Sequence, residues 1–140
     1  MSKRSAARAK GKRFETEVRA WLEAGGFTCD QARASLKMIG PGRFISSSND
    51  FFGCTDLIAV HPFYEKTVFI QCHAGDDPYS RMHKMDAVSW NTRAQQVLVF
   101  QRKRITDWRC YTKQGGAWRC ILLLPREAES VAFLRGVGGS

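Results

Sequence analysis

The sequence predicts an α/β protein: a central mixed sheet flanked by helices, followed by a C-terminal hairpin and helix. Three observations carry that expectation. Short apolar runs rich in β-branched and aromatic residues recur at 55–60, 67–72 and 96–100, with the length and composition of buried strands. Stretches with apolar residues at helical spacing, 14–24 and 81–91, precede and separate them. Gln114-Gly115-Gly116 lies between two Trp-Arg-Cys tripeptides, at 108–110 and 118–120, as the turn of a hairpin would.

A chain of 140 residues that is 44% hydrophobic suits one domain around one core. No stretch approaches a membrane helix, and residues 1–13 lack the apolar segment of a signal peptide, so a cytoplasmic location and no membrane partner are expected. The five cysteines, Cys29, Cys54, Cys72, Cys110 and Cys120, are odd in number and contain no C-x-x-C pair. They read as buried free thiols rather than as a disulfide framework or zinc site.

The net charge is +9, and Lys3, Arg4, Arg8, Lys10, Lys12 and Arg13 fall together with no acid among them. This Ser/Ala-rich segment has no apolar face. It predicts a flexible basic arm over 1–13, ahead of a single domain over 14–135 and a disordered tail over 136–140. Such an arm suits phosphate backbones through counterion release; a solubility tail is the alternative.

In the first helix, Phe14, Val18, Trp21 and Leu22 form the buried stripe, and Gly25-Gly26 stops it. Glu15 lies beside that stripe, within reach of the sheet edge, whereas Glu17 is expected to face solvent. A first-turn carboxylate is also favoured by the helix dipole alone. Residues 27–33 read as a polar first strand and 34–42, with Gly40-Pro41-Gly42, as an exposed loop made basic by Arg33, Lys37 and Arg43. Residues 44–48 form a second strand. Ser46, Ser47, Ser48 and Asn49 offer small donors to a nucleic-acid backbone or serve as plain turn formers. Asp50 is at most an outer group.

In the strand over 55–60, Asp56 follows Gly53 closely, where a bend would lift its carboxylate out of the core. His61-Pro62 ends that strand, and Tyr64-Glu65-Lys66 makes the return turn. In the strand over 67–72, alternation turns Gln71 and His73 to one face and Cys72 to the other. Asp76 and Asp77 follow in a solvated loop. Ser80 is placed to cap the helix over 81–91, with Met82, Met85 and Val88 inward and Arg81 and Lys84 on the polar side. The strand over 96–100 is central and leads into Arg102-Lys103-Arg104. Pro125 opens the last helix, which carries Val131, Phe133 and Leu134 inward. A carboxylate on one strand beside two alternate polar residues on the next is what a divalent-metal phosphodiesterase needs: oxygen ligands, with a base or cation alongside.

Gly11-x-x-Phe14-Glu15 on the first helix, Asp56-Leu57-Ile58-Ala59 on one strand and Ile70-Gln71-Cys72-His73 on the next resemble the PD-(D/E)xK nucleases, nearest the archaeal and phage Holliday junction resolvases, over residues 11 to about 111. The resemblance implies a restriction-endonuclease-like core of order αβββαβ. It makes Glu15 and Asp56 metal carboxylates, with Gln71 and the Cys72 carbonyl completing a site for Mg²⁺, or Mn²⁺ in its place. Gln71 stands where the family has Glu, His73 where it has Lys and Thr55 where it has Pro. The first exchange removes a negative charge but keeps an amide oxygen. The second replaces a fixed cation by a group with an ordinary pKa of about 6.5. Lys84, or in second place Arg81, would then supply the missing cation from the following helix. The site residues implied are therefore Glu15, Asp56, Gln71, His73 and Lys84. Lys10, Lys12, Arg13, Arg33, Arg43, Ser47, Ser48, Arg81, Arg102, Lys103 and Arg104 are the expected DNA contacts. The activity implied is magnesium-dependent hydrolysis of phosphodiester bonds in branched DNA during recombination, by a homodimer, in a bacterial, archaeal or phage-infected cell. A DNA-binding protein with a degenerate site, or a related nuclease with another DNA substrate, are the alternatives.

Overall fold

A computed structural model describes residues 3–32, 34–48, 51–52, 54–104, 106–114 and 116–138; for 3–8, 34–40, 43–48, 114 and 138 the description is confined to the backbone. The elements in chain order are α1 (Lys3–Ala24), β1 (Thr28–Gln31), β2 (Ala34–Gly40), β3 (Arg43–Ser48), β4 (Leu57–His61), β5 (Tyr64–His73), α2 (Tyr79–Asp86), β6 (Gln95–Arg102), β7 (Trp108–Gln114), β8 (Ala117–Leu123) and α3 (Ser130–Gly138). The class is α/β; among the described residues three helices flank a six-stranded sheet of order β1-β4-β5-β6-β7-β8.

The segment expected as an arm is helical from Lys3. Ala6, Ala7 and Ala9 among lysines and arginines are strong helix formers, and the apolar stripe from Phe14 onward anchors them. The helix ends as Gly25-Gly26 predicts. Gly26 takes φ 95° and donates to Glu23 O at 3.0 Å, while Phe27 N reaches back to Leu22 O at 3.1 Å, and both apolar partners join the core.

Parallel pairing is confined to β5 and β6 among the described strands, and α2 lies between them in sequence because parallel neighbours need a crossover. As predicted, the 96–100 run is central: β6 stands between β5 and β7. The hairpin expected around Gln114 is the antiparallel β7–β8 pair. The 34–42 segment is not a loop. It supplies β2, which pairs with β3 in a separate two-stranded ribbon, so the 44–48 strand stays out of the main sheet and β1 pairs directly with β4. The turn falls at Pro41-Gly42, where Gly42 takes φ 69°, a backbone suited to glycine and to reversing two strands.

Further boundaries move for local reasons. Tyr64, Glu65 and Lys66 belong to β5 because Pro62-Phe63 makes the tight turn. In α2 the starting N–H of Tyr79 is accepted by Asp77 Oδ1 at 2.9 Å, so Asp77 rather than Ser80 serves the helix start, and the helix ends at Asp86. Likewise α3 starts at Ser130, not Pro125, because the Glu129 carboxylate accepts Val131 N and Ala132 N at 3.1 and 2.8 Å. It continues to Gly138, through part of the stretch expected as a disordered tail.

Two apolar layers sandwich the sheet. On one side Phe14, Val18 and Leu22 of α1 and Leu134 of α3 bury themselves on Leu57, Ile70, Cys72, Leu98 and Phe100. Trp108 meets Phe14 edge-on at 5.3 Å, and Trp21 donates Nε1–H to Ala128 O at 2.9 Å, tying α1 to the approach of α3. Each fully buried Leu or Phe contributes about 1.5–3 kcal/mol. On the other side Met82 and Met85 of α2 cover Val97, Val99 and Tyr111.

Candidate functional site

Strand alternation assigns the predicted site residues to faces. Ile70 and Cys72 enter the layer under α1, so Gln71 and His73 point to the α2 side, as expected from their spacing. Gln71 lies in register with Val99, and His73 with Gln101.

Asp56 sits in a bend just ahead of β4, while Thr55 is held in a bridge with Phe51. The expectation that the bend lifts its carboxylate out of the core is overturned: Asp56 is 7% exposed. Three main-chain links draw it in. Its N–H donates to Ile70 O at 2.8 Å, its carbonyl accepts from Ala32 N at 2.8 Å, and its Oδ2 accepts the Cys72 N–H at 2.9 Å. The carboxylate thus occupies a ladder position beyond the strand end, in the plane between the two faces.

Glu15 approaches from α1 and is half-buried, its Oε2 accepting from Gln31 Nε2 at 3.0 Å. Burial raises the Cys72 thiol well above its ordinary pKa, and the charges of Asp56 and then Glu15 raise it further. Gln31, which holds Glu15, pairs with Leu57 next to Asp56, so α1 and the β4 approach converge on the same end of β5. Glu17, expected to face solvent, keeps 39% of its side chain exposed while pairing with Arg102 at 3.4 Å.

On the α2 face the buried Gln71 Oε1 has no hydrogen-bond partner among the described residues. The half-buried His73 has its pKa lowered, first by desolvation and then by Arg81, with Asp77 and Asp76 opposing. Its ring packs so closely on the next turn that a Cβ at Gly75 would stand 2.9 Å from Nε2. Arg81, half-buried in the first turn of α2, is therefore the cation that acts on His73, whereas Lys84 is exposed.

Of the predicted site residues, Glu15, Asp56 and Cys72 come together; Gln71 and His73 flank them from the opposite face, with Arg81. No group of three or more His, Cys, Asp or Glu side chains among the described residues is placed to hold a metal ion. The expected DNA contacts divide similarly. Lys10, Lys12 and Arg13 are exposed on α1, Lys103 and Arg104 are exposed beyond β6, and Arg102 is partly covered by its pairing with Glu17. Arg33 lies outside the described residues, as do the side chains of Arg43, Ser47 and Ser48 on β3.

Two supports escaped the sequence reading. Gln31 holds Glu15, and its only signal is a polar residue late in a polar strand. Gln101, 1% exposed, donates Nε2–H to the carbonyls of Gly75 and Asp76 at 2.9 Å each and accepts from Tyr111 Oη at 3.1 Å. It clamps the loop that follows His73, yet in the sequence it reads as the first residue of a charged run.

Among the described residues no helix is long and apolar enough to cross a membrane. Compared with known protein families, curated proteins and solved structures, the chain matches none of them.

Proposed function

We propose that this protein is a metal-dependent endonuclease with a restriction-endonuclease-like core that cuts phosphodiester bonds in branched, Holliday-junction-like DNA as a homodimer. The observation that carries the reading is the convergence of Glu15 and Asp56 on the end of β5: Gln31, which holds Glu15, pairs with Leu57 next to Asp56, and Asp56 accepts the Cys72 N–H. A helical carboxylate and one from the bend just ahead of β4, meeting there, are consistent with the pattern by which the sequence resembles the PD-(D/E)xK nucleases. Glu15, Asp56 and the Cys72 carbonyl would hold Mg²⁺ or Mn²⁺ at the end of β5, with the Gln71 amide oxygen reaching it from the opposite face of the strand, an all-oxygen set suited to a hard cation. The buried Gln71 Oε1, without a hydrogen-bond partner among the described residues, supports that fit, since a buried polar atom ordinarily has a partner. When bound, such an ion polarises a phosphate and lowers the pKa of a coordinated water.

The protein's own groups take the other roles. His73, its pKa lowered by burial and by Arg81, is neutral near pH 7 and able to accept a proton. Arg81 offers the fixed positive charge that the family's lysine would provide. Lys10, Lys12, Arg13, Lys103 and Arg104 are exposed to meet phosphates, and a net charge of +9 favours a polyanion.

The test is cleavage of a four-way junction in Mg²⁺ or Mn²⁺ by wild type and Asp56→Asn, with binding measured in parallel at one fixed salt concentration. The expected result is cleavage by wild type, none by the variant, and binding by both. A panel of flap, duplex and single strand then ranks the substrates. The absence of a three-residue metal group among the described residues favours a second reading, a DNA-binding protein with a degenerate site on the same fold. Junction binding by wild type without cleavage in either metal would select it.

A further inference from the structure

The turn leading into β4 carries an aromatic ring that stays largely open to solvent. Phe52 takes φ 55°, a left-handed backbone that disfavours bulky side chains, and yet it is 65% exposed. The turn around it is closed by Phe51 N to Thr55 O at 2.9 Å, Cys54 N to Phe51 O at 3.1 Å and Thr55 N to Phe51 O at 3.0 Å. Strain of this kind persists where surrounding structure imposes it, and it concentrates at binding sites.

The ring is braced from below. Phe52 stands edge-on to Trp90 at 6.0 Å and tilted on Phe69 at 5.9 Å, while Phe69 and Trp90 contact each other at 5.0 Å. Phe69 is buried and Trp90 half-buried, with its Nε1–H donated to Met85 O at 2.8 Å, so the solvent-facing member of the trio is Phe52. Phe69, Gln71 and His73 share one face of β5. At about 3.3 Å per residue, Phe69 lies roughly 7 Å from Gln71 and 13 Å from His73 along the strand, or two to four stacked base steps of about 3.4 Å.

We propose that Phe52, braced by Phe69 and Trp90, is a stacking platform for an unpaired nucleobase beside the proposed cleavage site. This rests on the nuclease reading above. One open ring matches one base face, whereas a stable protein partner needs a much broader apolar surface. The partner's charge fits too: Arg81 flanks His73 on the same side of the sheet, and the chain as a whole is strongly basic. A base on Phe52 would let its neighbouring phosphates lie toward Gln71, His73 and Arg81.

The test uses four-way junctions and single strands carrying 2-aminopurine, with a blunt duplex as control, against wild type, Phe52→Trp and Phe52→Gly. Glycine accepts φ 55° without strain, so Phe52→Gly retains the fold, as its thermal midpoint will verify. Phe52→Gly should bind junction and single strand about 5- to 150-fold more weakly, with duplex binding unchanged. Phe52→Trp should retain binding and alter 2-aminopurine emission. Equal weakening on all three DNAs, or none on any, overturns the platform while leaving the nuclease reading in place. Loss of self-association with DNA binding unchanged assigns the ring to a protein contact and also overturns it. Wild type that binds no DNA removes both proposals together.

Discussion

Asp56 Oδ2 accepts the main-chain N–H of Cys72 at 2.9 Å, so a side chain takes the ladder position that a strand carbonyl would otherwise fill. The bond fixes a carboxylate at the open end of β5 and leaves the protein dependent on it for satisfying a buried donor.

Asp56→Ala should therefore cost about 1–3 kcal/mol, the penalty of an orphaned buried N–H, whereas Asp56→Asn keeps an acceptor and should cost less. Urea denaturation of the two variants measures the difference. Both should lose cleavage, separating the structural role from the chemical one.

Gln71→Met removes the buried amide oxygen that lacks a partner among the described residues and substitutes a side chain of similar volume. The variant should be at least as stable as wild type without added metal. If Gln71 is a ligand, Mg²⁺ should raise the thermal midpoint of wild type and raise that of the variant less. Equal metal responses would exclude Gln71 from the site.

His73 has a lowered pKa, so the folded protein favours its neutral form. Its contribution to stability is complete above the unfolded value of about 6.5 and is lost as pH falls through the lower folded value. Wild type should lose more stability than His73→Gln between pH 7.5 and 5, and NMR titration should place the His73 ring below the ordinary range. Junction cleavage should fall over the same acid interval.

Gln101→Leu removes two donors from the carbonyls of Gly75 and Asp76 and leaves Tyr111 Oη without its Gln101 acceptor. A loss of about 1–3 kcal/mol is expected. Hydrogen exchange should speed up across 74–78, and the His73 titration should move, since the clamp sets the turn against its ring.

Cys120 is exposed, while Cys29, Cys54, Cys72 and Cys110 are buried. Burial pushes Cys29 up to about 11 and raises Cys72 and Cys110 well above their ordinary values. Native thiol labelling near pH 8 should modify one cysteine quickly, at Cys120, with the other four reacting only on unfolding.

Much of the architecture was legible because it follows from local composition and period. The 96–100 run could only be a buried strand, Gly25-Gly26 could only end a helix, and the spacing of Gln71, Cys72 and His73 assigned their faces. Where the reading failed, a distant partner or a local cap overrode propensity. Residues 34–40 are a strand because β3 is there to pair with them. Ser80 lost the start of α2 to Asp77, two residues before Tyr79.

What the sequence determined alone is the α/β class, the order of most elements, the concentration of charge and the residue types available for chemistry. Tertiary structure decided which of those residues meet. Glu15 and Asp56 converge on the end of β5 because Gln31 holds Glu15 beside Leu57 and because Ile70 and Cys72 bond the Asp56 backbone and side chain; Gln71 and His73 lie on the other face, with Arg81. Periodicity records only how residues repeat along one element, whereas burial and hydrogen bonding between elements decide whose charge reaches whom.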